Sequence, residues 1–175
     1  MAEIEIHHEH GHDEDPLSKR VGLMVGLIGV TLAAVTIMAH RQHTAAVMHR
    51  AEANDEWSYF QAKKIREHTD DAALQVLSAL STDPARAEAA VKKLEESRAK
   101  YKADAEAKQK DAEGREHETE RAEMLALRFD LGEGLLELGL VMSSLYFLGR
   151  QKGFPLAGGL AAAIGIAIAA SALLL

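Results

Sequence analysis

Phe129-Asp130-Leu131-Gly132-Glu133-Gly134-Leu135-Leu136-Glu137-Leu138 opens an apolar stretch that runs on to Leu148. It is long enough to cross a bilayer, yet it carries three carboxylates. At about 100° per residue, Asp130, Glu133 and Glu137 share one side of a helix, and Ser144 continues that stripe. Hydrocarbon tolerates a charge only when it is paired, protonated or turned to a polar interior. About nine Leu, Val and Phe residues, at roughly −0.3 to −0.6 kcal/mol each, barely offset one or two acids at about +2.5 to +3.5. This stretch therefore predicts a membrane span that needs neighbouring helices.

Two further stretches frame it. Val21–Ala39 and Phe154–Leu175 contain no charged residue, and each is close to the roughly 20 residues that cross a core of about 30 Å. The mean hydropathy of −0.13 hides this division. Between the first two stretches, Arg41–Arg128 carries 16 Lys/Arg against 18 Asp/Glu. Charges so mixed describe a solvated helical surface. Nucleic-acid binding would need a basic patch, and no nucleic-acid partner is expected. The chain has no cysteine, which excludes disulfides, a thiolate nucleophile and Cys-type zinc sites. Val21–Ala39 reads as an uncleaved anchor: an acidic segment precedes it, and Ile37 stands where a cleavage site would want Ala.

The expected organisation is all-α. Residues 1–17 form a disordered acidic tail, since Met1–Pro16 holds six carboxylates and four histidines and too little apolar surface to fold. Residues 18–40 form the first transmembrane helix, 129–148 the second and 154–175 the third, with a short basic loop at 149–153. Residues 41–128 form a long antiparallel helical hairpin, coiled-coil-like, with its turn near 81–84. There Asp83 suits an N-cap and Pro84 the first helical position. The arms, about 41 and 45 residues, would each be roughly 60–70 Å long. Matched arms bring a chain that leaves the membrane at residue 40 back to the same face near 129. The first arm's expected seam is Val47, Ala51, Asn54, Ser58, Ile65, Ala72, Val76 and Ala79. The second arm's is Ala87, Val91, Leu94, Arg98, Tyr101, Ala105 and Ala112, weakened locally by Gly114. Both are rich in Ala, so one hairpin alone would be marginal.

Orientation follows from basic residues in short loops. Arg150 and Lys152 place the 149–153 loop in the cytoplasm. The N-terminus is then cytoplasmic, and the hairpin and C-terminus fall outside, in a periplasm.

Depth from the shared membrane face pairs the polar residues of the first two spans: His40 with Asp130, Thr36 with Glu133, and Thr31 with Glu137. Hydrogen bonding between these helices is expected, with either a packing role or an ion path through the carboxylates. In the tail, His7, His8, His10 and His12 are candidate ligands for a divalent metal, since imidazole suits Zn, Ni and Cu. Trp57, Tyr59 and Phe60 concentrate aromatic surface outside the membrane and form a candidate partner interface, or pack on the second arm. Small residues recur at Gly22 and Gly26, and at Ala157, Ala161, Gly165 and Ala169, spacings that let helices approach closely. No nucleophile elbow, phosphate-cradling loop or His-Glu-x-x-His occurs. Neither an enzyme, a cofactor nor a small-molecule substrate is expected.

Two segments, Asn54–His68 with Trp-x-Tyr-Phe-Gln-Ala-Lys-x-Ile-Arg and Arg128–Ser144 with Arg-Phe-Asp-Leu-Gly-Glu-x-Leu-Leu-Glu-Leu, resemble a family of small bacterial three-span membrane proteins known only as a domain of unknown function. The resemblance extends to the layout of the spans and the tail. It implies a bacterial inner-membrane location and supplies no activity or site residues. The expected role is a non-enzymatic scaffold, a homo-oligomer or a partner of other membrane proteins, presenting its hairpin. A proton or cation path is the alternative, and metal handling by the tail a third.

Overall fold

The computed structural model describes residues 16–80 and 84–174. The histidine tail and the break at Ser81-Thr82-Asp83 lie outside the described residues. Every described element is helical: α1 (Pro16–Leu80), α2 (Pro84–Ser144), α3 (Tyr146–Gly149) and α4 (Gly153–Ser171), the last running into a 3-10 turn at Ala172–Leu174. α1 persists for 65 residues because nothing between Val30 and Thr82 breaks a helix: the segment has neither Gly nor Pro. α2 stops at Ser144, one turn short of the expected end at 148, and α3 continues after Leu145. Arg150 ends α3 in the left-handed region (φ 51°), its N–H donating to the Tyr146 carbonyl over 2.8 Å. Three helices are long and apolar enough to cross a membrane: Pro16–Leu80, Ala87–Gly149 and Gly153–Leu174.

The chain divides into two compact units, Arg41–Met124 and the remainder. In the apolar unit, the core gathers Ile28, Val35 and Ala39 of α1, Phe129 and Leu136 of α2, and Ala162, Ala169 and Ala172 from α4 and the turn after it. α2 and α4 approach through glycines. A Cβ built on Gly139 would sit 2.7 Å from the Gly158 carbonyl, and one on Gly165 2.8 Å from that of Gly132. These are distances no side chain accepts, so only glycine permits the crossing. The face of α4 that closes it is Pro155, Gly158, Ala162, Gly165 and Ala169. This corrects the expected stripe: Gly165 and Ala169 belong to it, whereas Ala157 is exposed and Ala161 only half-buried. From Gly153 to Ala170 α4 is apolar all round, and Ser171 at its end is too late to mark its phase. Gly22 and Gly26 also make no close crossing: the nearest atom to a Cβ on Gly22 is 3.9 Å away, and Gly26 has none within 4 Å.

The charged unit is built differently. Its buried residues are mostly small, Ala46 and Ala53 of α1 and Ala105, Ala112, Thr119 and Ala122 of α2, with Glu67 of α1 the exception, its carboxylate 2.8 Å from Lys64. Ion pairs flank them. As the α1 partner advances from Arg50 through Glu52, Glu56 and Lys63 to Asp71, the α2 partner recedes from Glu123 through Arg115, Lys108 and Asp104 to Arg98. The α2 seam turns inward as expected, with Ala105 and Ala112 buried and Ala87, Val91, Leu94 and Tyr101 half-buried; Arg98 is exposed but paired with Asp71.

The α1 seam does not turn inward. All eight of its expected members are exposed. Together with Gln61, Ala62, Thr69 and Leu80, also exposed, they fill an α1 sector of about 100°. None of the ten Asp, Glu, Lys and Arg residues between 47 and 80 falls within it. The face toward α2 instead holds Ala53, Glu67 and the paired charges. Periodicity identified a real face, but the charge pairs between α1 and α2 lie on another, and that is the one packed within the chain.

Candidate functional site

The polar residues of the apolar unit sit on α1 and α2. The Thr36 hydroxyl donates to Glu133 Oε1 over 2.7 Å, and both residues are partly buried. A β-branched hydroxyl on one apolar helix thus meets a carboxylate on the next, satisfying an acceptor that would otherwise be costly. Thr31 and Glu137 are not joined. The Thr31 hydroxyl donates to the Leu27 carbonyl of its own helix, 2.9 Å away, the usual outlet for Thr when no acceptor faces it. Thr31 borders an apolar groove of about 240 Å³ between α1, α2 and the end of the chain. Glu137, one turn beyond Glu133, is exposed and has no hydrogen-bond partner among the described residues. His40 and Asp130 are exposed, and each is already engaged by a neighbour. Ser144 donates to Leu140 within α2 over 2.8 Å.

Two polar features here escape a sequence reading. Ser143 is fully buried against Gly158, and its hydroxyl has no partner among the described residues. Arg128 reaches the end of α4, donating to the Ser171 carbonyl over 3.1 Å and to its hydroxyl over 3.2 Å. The guanidinium satisfies a helix C-terminus whose last carbonyls have no intrahelical donor. Only a Ser near the end of an uncharged stretch hints at this in the sequence.

In the charged unit, His49, Glu52 and Glu118 place three possible ligand atoms within 4.8 Å of one another. His49 Nδ1 lies 3.3 Å from each carboxylate. Arg115 occupies the centre of the same cluster, 3.2 Å from Glu52 and 2.7 Å from Glu118. Arg115 bridges one carboxylate from each helix, so the cluster works as a clasp between α1 and α2. The Arg115 hydrogen bond holds the Glu118 carboxyl below its usual range, and Glu118 in turn raises Arg115. Its α1 and α2 residues lie 63 to 69 positions apart, beyond any local motif.

Aromatic residues serve the same purpose. Trp57 donates its indole N–H to Glu116 over 2.8 Å and meets Phe60 edge-on at 5.4 Å. Tyr101 of α2 lies under Lys63 and Arg66, both within 5.6 Å of its ring centroid. Tyr59 remains exposed, with Lys108 over its ring. Of the expected partner interface, Trp57 is thus engaged with α2, Phe60 is half-buried against Trp57, and Tyr59 faces outward. His7, His8, His10 and His12 lie outside the described residues.

No curated protein and no solved structure matches the chain. The family model for a domain of unknown function, DUF4337, matches residues 17–175 and so takes in all three apolar helices and the charged unit. The chain belongs to the DUF4337 family.

Proposed function

We propose that the chain is a non-enzymatic membrane scaffold: three spans anchor it, and an antiparallel helical hairpin carries its contacts with other proteins. The carrying observation is how the hairpin uses its charges. From Arg50–Glu123 to Asp71–Arg98, cations and carboxylates are consumed in pairs between the arms. The falling α2 numbers against rising α1 numbers support antiparallel arms. Glu137 supports assembly, because an acidic side chain on the outside of an apolar helix cluster is costly against lipid and calls for protein beside it. Arg150 and Lys152 favour a cytoplasmic 149–153 loop, which puts the N-terminus in the bacterial cytoplasm and the hairpin and C-terminus in the periplasm. The test is extraction of membranes with alkaline carbonate, followed by native mass spectrometry of the detergent-solubilised protein. The expected result is a carbonate-resistant protein in a complex of several polypeptides. A protein released by carbonate, or a lone 19.0 kDa subunit, would overturn the scaffold.

A second reading has its own observation. Glu133 is held by Thr36, while Glu137, one turn along, is open. An ion path would work through this pair. It requires that reconstituted liposomes acidify in response to a proton gradient and that Glu137→Gln abolishes the flux.

A further inference from the structure

We infer that the charge-free outer face of α1, residues 47–80, is the contact surface for a second copy of this chain, docked in parallel and in register. Val47, Ile65, Val76 and Leu80 on this face are 57–74% exposed. The helix leaves this face bare while its charged sides pair with α2, the reverse of what a solitary amphipathic helix does. At its far end the face opens into an apolar groove of about 760 Å³, bounded by Ala72, Val76 and Leu80 and by Ala90 and Leu94 of α2, with room for a neighbour's side chains.

The occupant follows from the chemistry of the face and from its size. A surface without Asp, Glu, Lys or Arg offers no charge for a differently charged partner to complement. It suits a copy of itself, since a two-fold axis sets like on like with no repulsion within the sector. Parallel alignment rests on the membrane reading proposed above: copies inserted in the same sense run their α1 helices in the same direction, so Ile65 meets Ile65. The spacing 51, 58, 65, 72, 79 repeats every seven residues and 62, 69, 76 runs between them, the pattern that keeps a seam facing a partner helix. Residues 47–80, at about 1.5 Å each, make a strip about 50 Å long and about 10 Å wide. Two such strips bury about 1,000 Å² in total, above the roughly 800 Å² of casual contacts and at the lower threshold of specific interfaces, so the membrane anchoring of both copies has to assist the pairing.

The absence of native cysteine makes single-cysteine variants unambiguous. Full-length Ile65→Cys and Ala72→Cys, oxidised in native membranes, should form disulfide-linked dimers. Glu113→Cys, on the exposed side of α2, should not. Ile65→Asp should halve the particle mass in native mass spectrometry with helicity unchanged, because Ile65 is 66% exposed in the subunit. Dimers no more abundant at 65 and 72 than at 113 would overturn the inference, as would crosslinking of Ile65→Cys to a different polypeptide only. Carbonate extraction of the same samples separates the two failures. A membrane-embedded protein without the dimer removes this interface and leaves the anchoring intact, whereas a released protein removes the anchoring.

Discussion

Thr36 and Glu133 stand 97 positions apart in the chain and share a hydrogen bond of 2.7 Å between two apolar helices. Bonds of this kind contribute about 0.6 kcal/mol on average and at most about 2. Thr36→Val should lower stability by that amount in detergent unfolding titrations. Glu133→Gln keeps a carbonyl acceptor and should lose less. Equal stability of Thr36→Val and the parent would show that the bond contributes nothing.

Gly158 and Gly134 should respond oppositely to added atoms. A Cβ on Gly158 would meet the Gly139 carbonyl at 2.6 Å, whereas Gly134 has open space around it. Gly158→Val should cost about 1–3 kcal/mol or more, because two backbones would have to separate. Gly134→Ala should gain up to about 1 kcal/mol from helix propensity. Thermal unfolding of both variants decides the matter; a neutral Gly158→Val would disprove the tight α2–α4 crossing.

Ser143 should be dispensable. Its hydroxyl is buried without a partner among the described residues, and such a group carries a desolvation cost of about 1–3 kcal/mol. Ser143→Ala should therefore melt at the same temperature as the parent or higher. A clear loss would reveal a partner for the hydroxyl.

The charged unit should be acid-labile. Hydrogen bonds from Lys64, Lys63 and Arg115 lower the carboxyls of Glu67, Asp104 and Glu118 from ordinary values of 4.5, 3.8 and 4.5. The unfolded chain binds these protons at a higher pH than the folded one. The stabilisation is therefore complete above about pH 4.5 and is lost as pH falls through the lowered folded values. Lys108, raised from 10.5 by Glu56 and then Asp111, works in the opposite sense. Its contribution is complete below 10.5 and disappears as pH rises past its folded value. Amide hydrogen exchange in residues 41–124, corrected for intrinsic rates, should show protection lost below about pH 4. Asp104→Asn should blunt the change. Protection independent of pH across that range would discount the carboxylate pairs.

The helical periods, the two apolar stretches without charge and the helix start at Pro84 were all legible from residue type and spacing. So was the meeting of Thr36 with Glu133, because matching distances along two neighbouring helices is simple geometry. What spacing could not supply was the direction of a face. The α1 seam was found at the right residues, yet it points away from α2, because pairings such as Lys63–Asp104 depend on charges far apart in the sequence. Thr31 shows the same limit at one side chain: depth alone matched it to Glu137, but its hydroxyl turns back to Leu27. In α4 the error was one of phase, since Ala157 and Gly158 look equally suitable in a helix that is apolar on every side.

The ladder between the arms makes the charged unit sensitive to ionic strength. Arg50, Glu123, Arg115 and Glu118 are all 43–64% exposed, and at about 0.1 M salt exposed charges are screened beyond about 10 Å, with weaker pairs throughout. Concentrated salt leaves the arms joined chiefly by Ala46, Ala53, Ala105 and Ala112, small side chains that bury little area. The bare α1 face has no charge to screen, and excluded ions such as sulfate strengthen apolar contacts. Salt therefore loosens the joint between α1 and α2 in the charged unit while leaving the apolar outer face of α1 unweakened, so the two sides of one helix answer the medium's ionic composition in opposite ways.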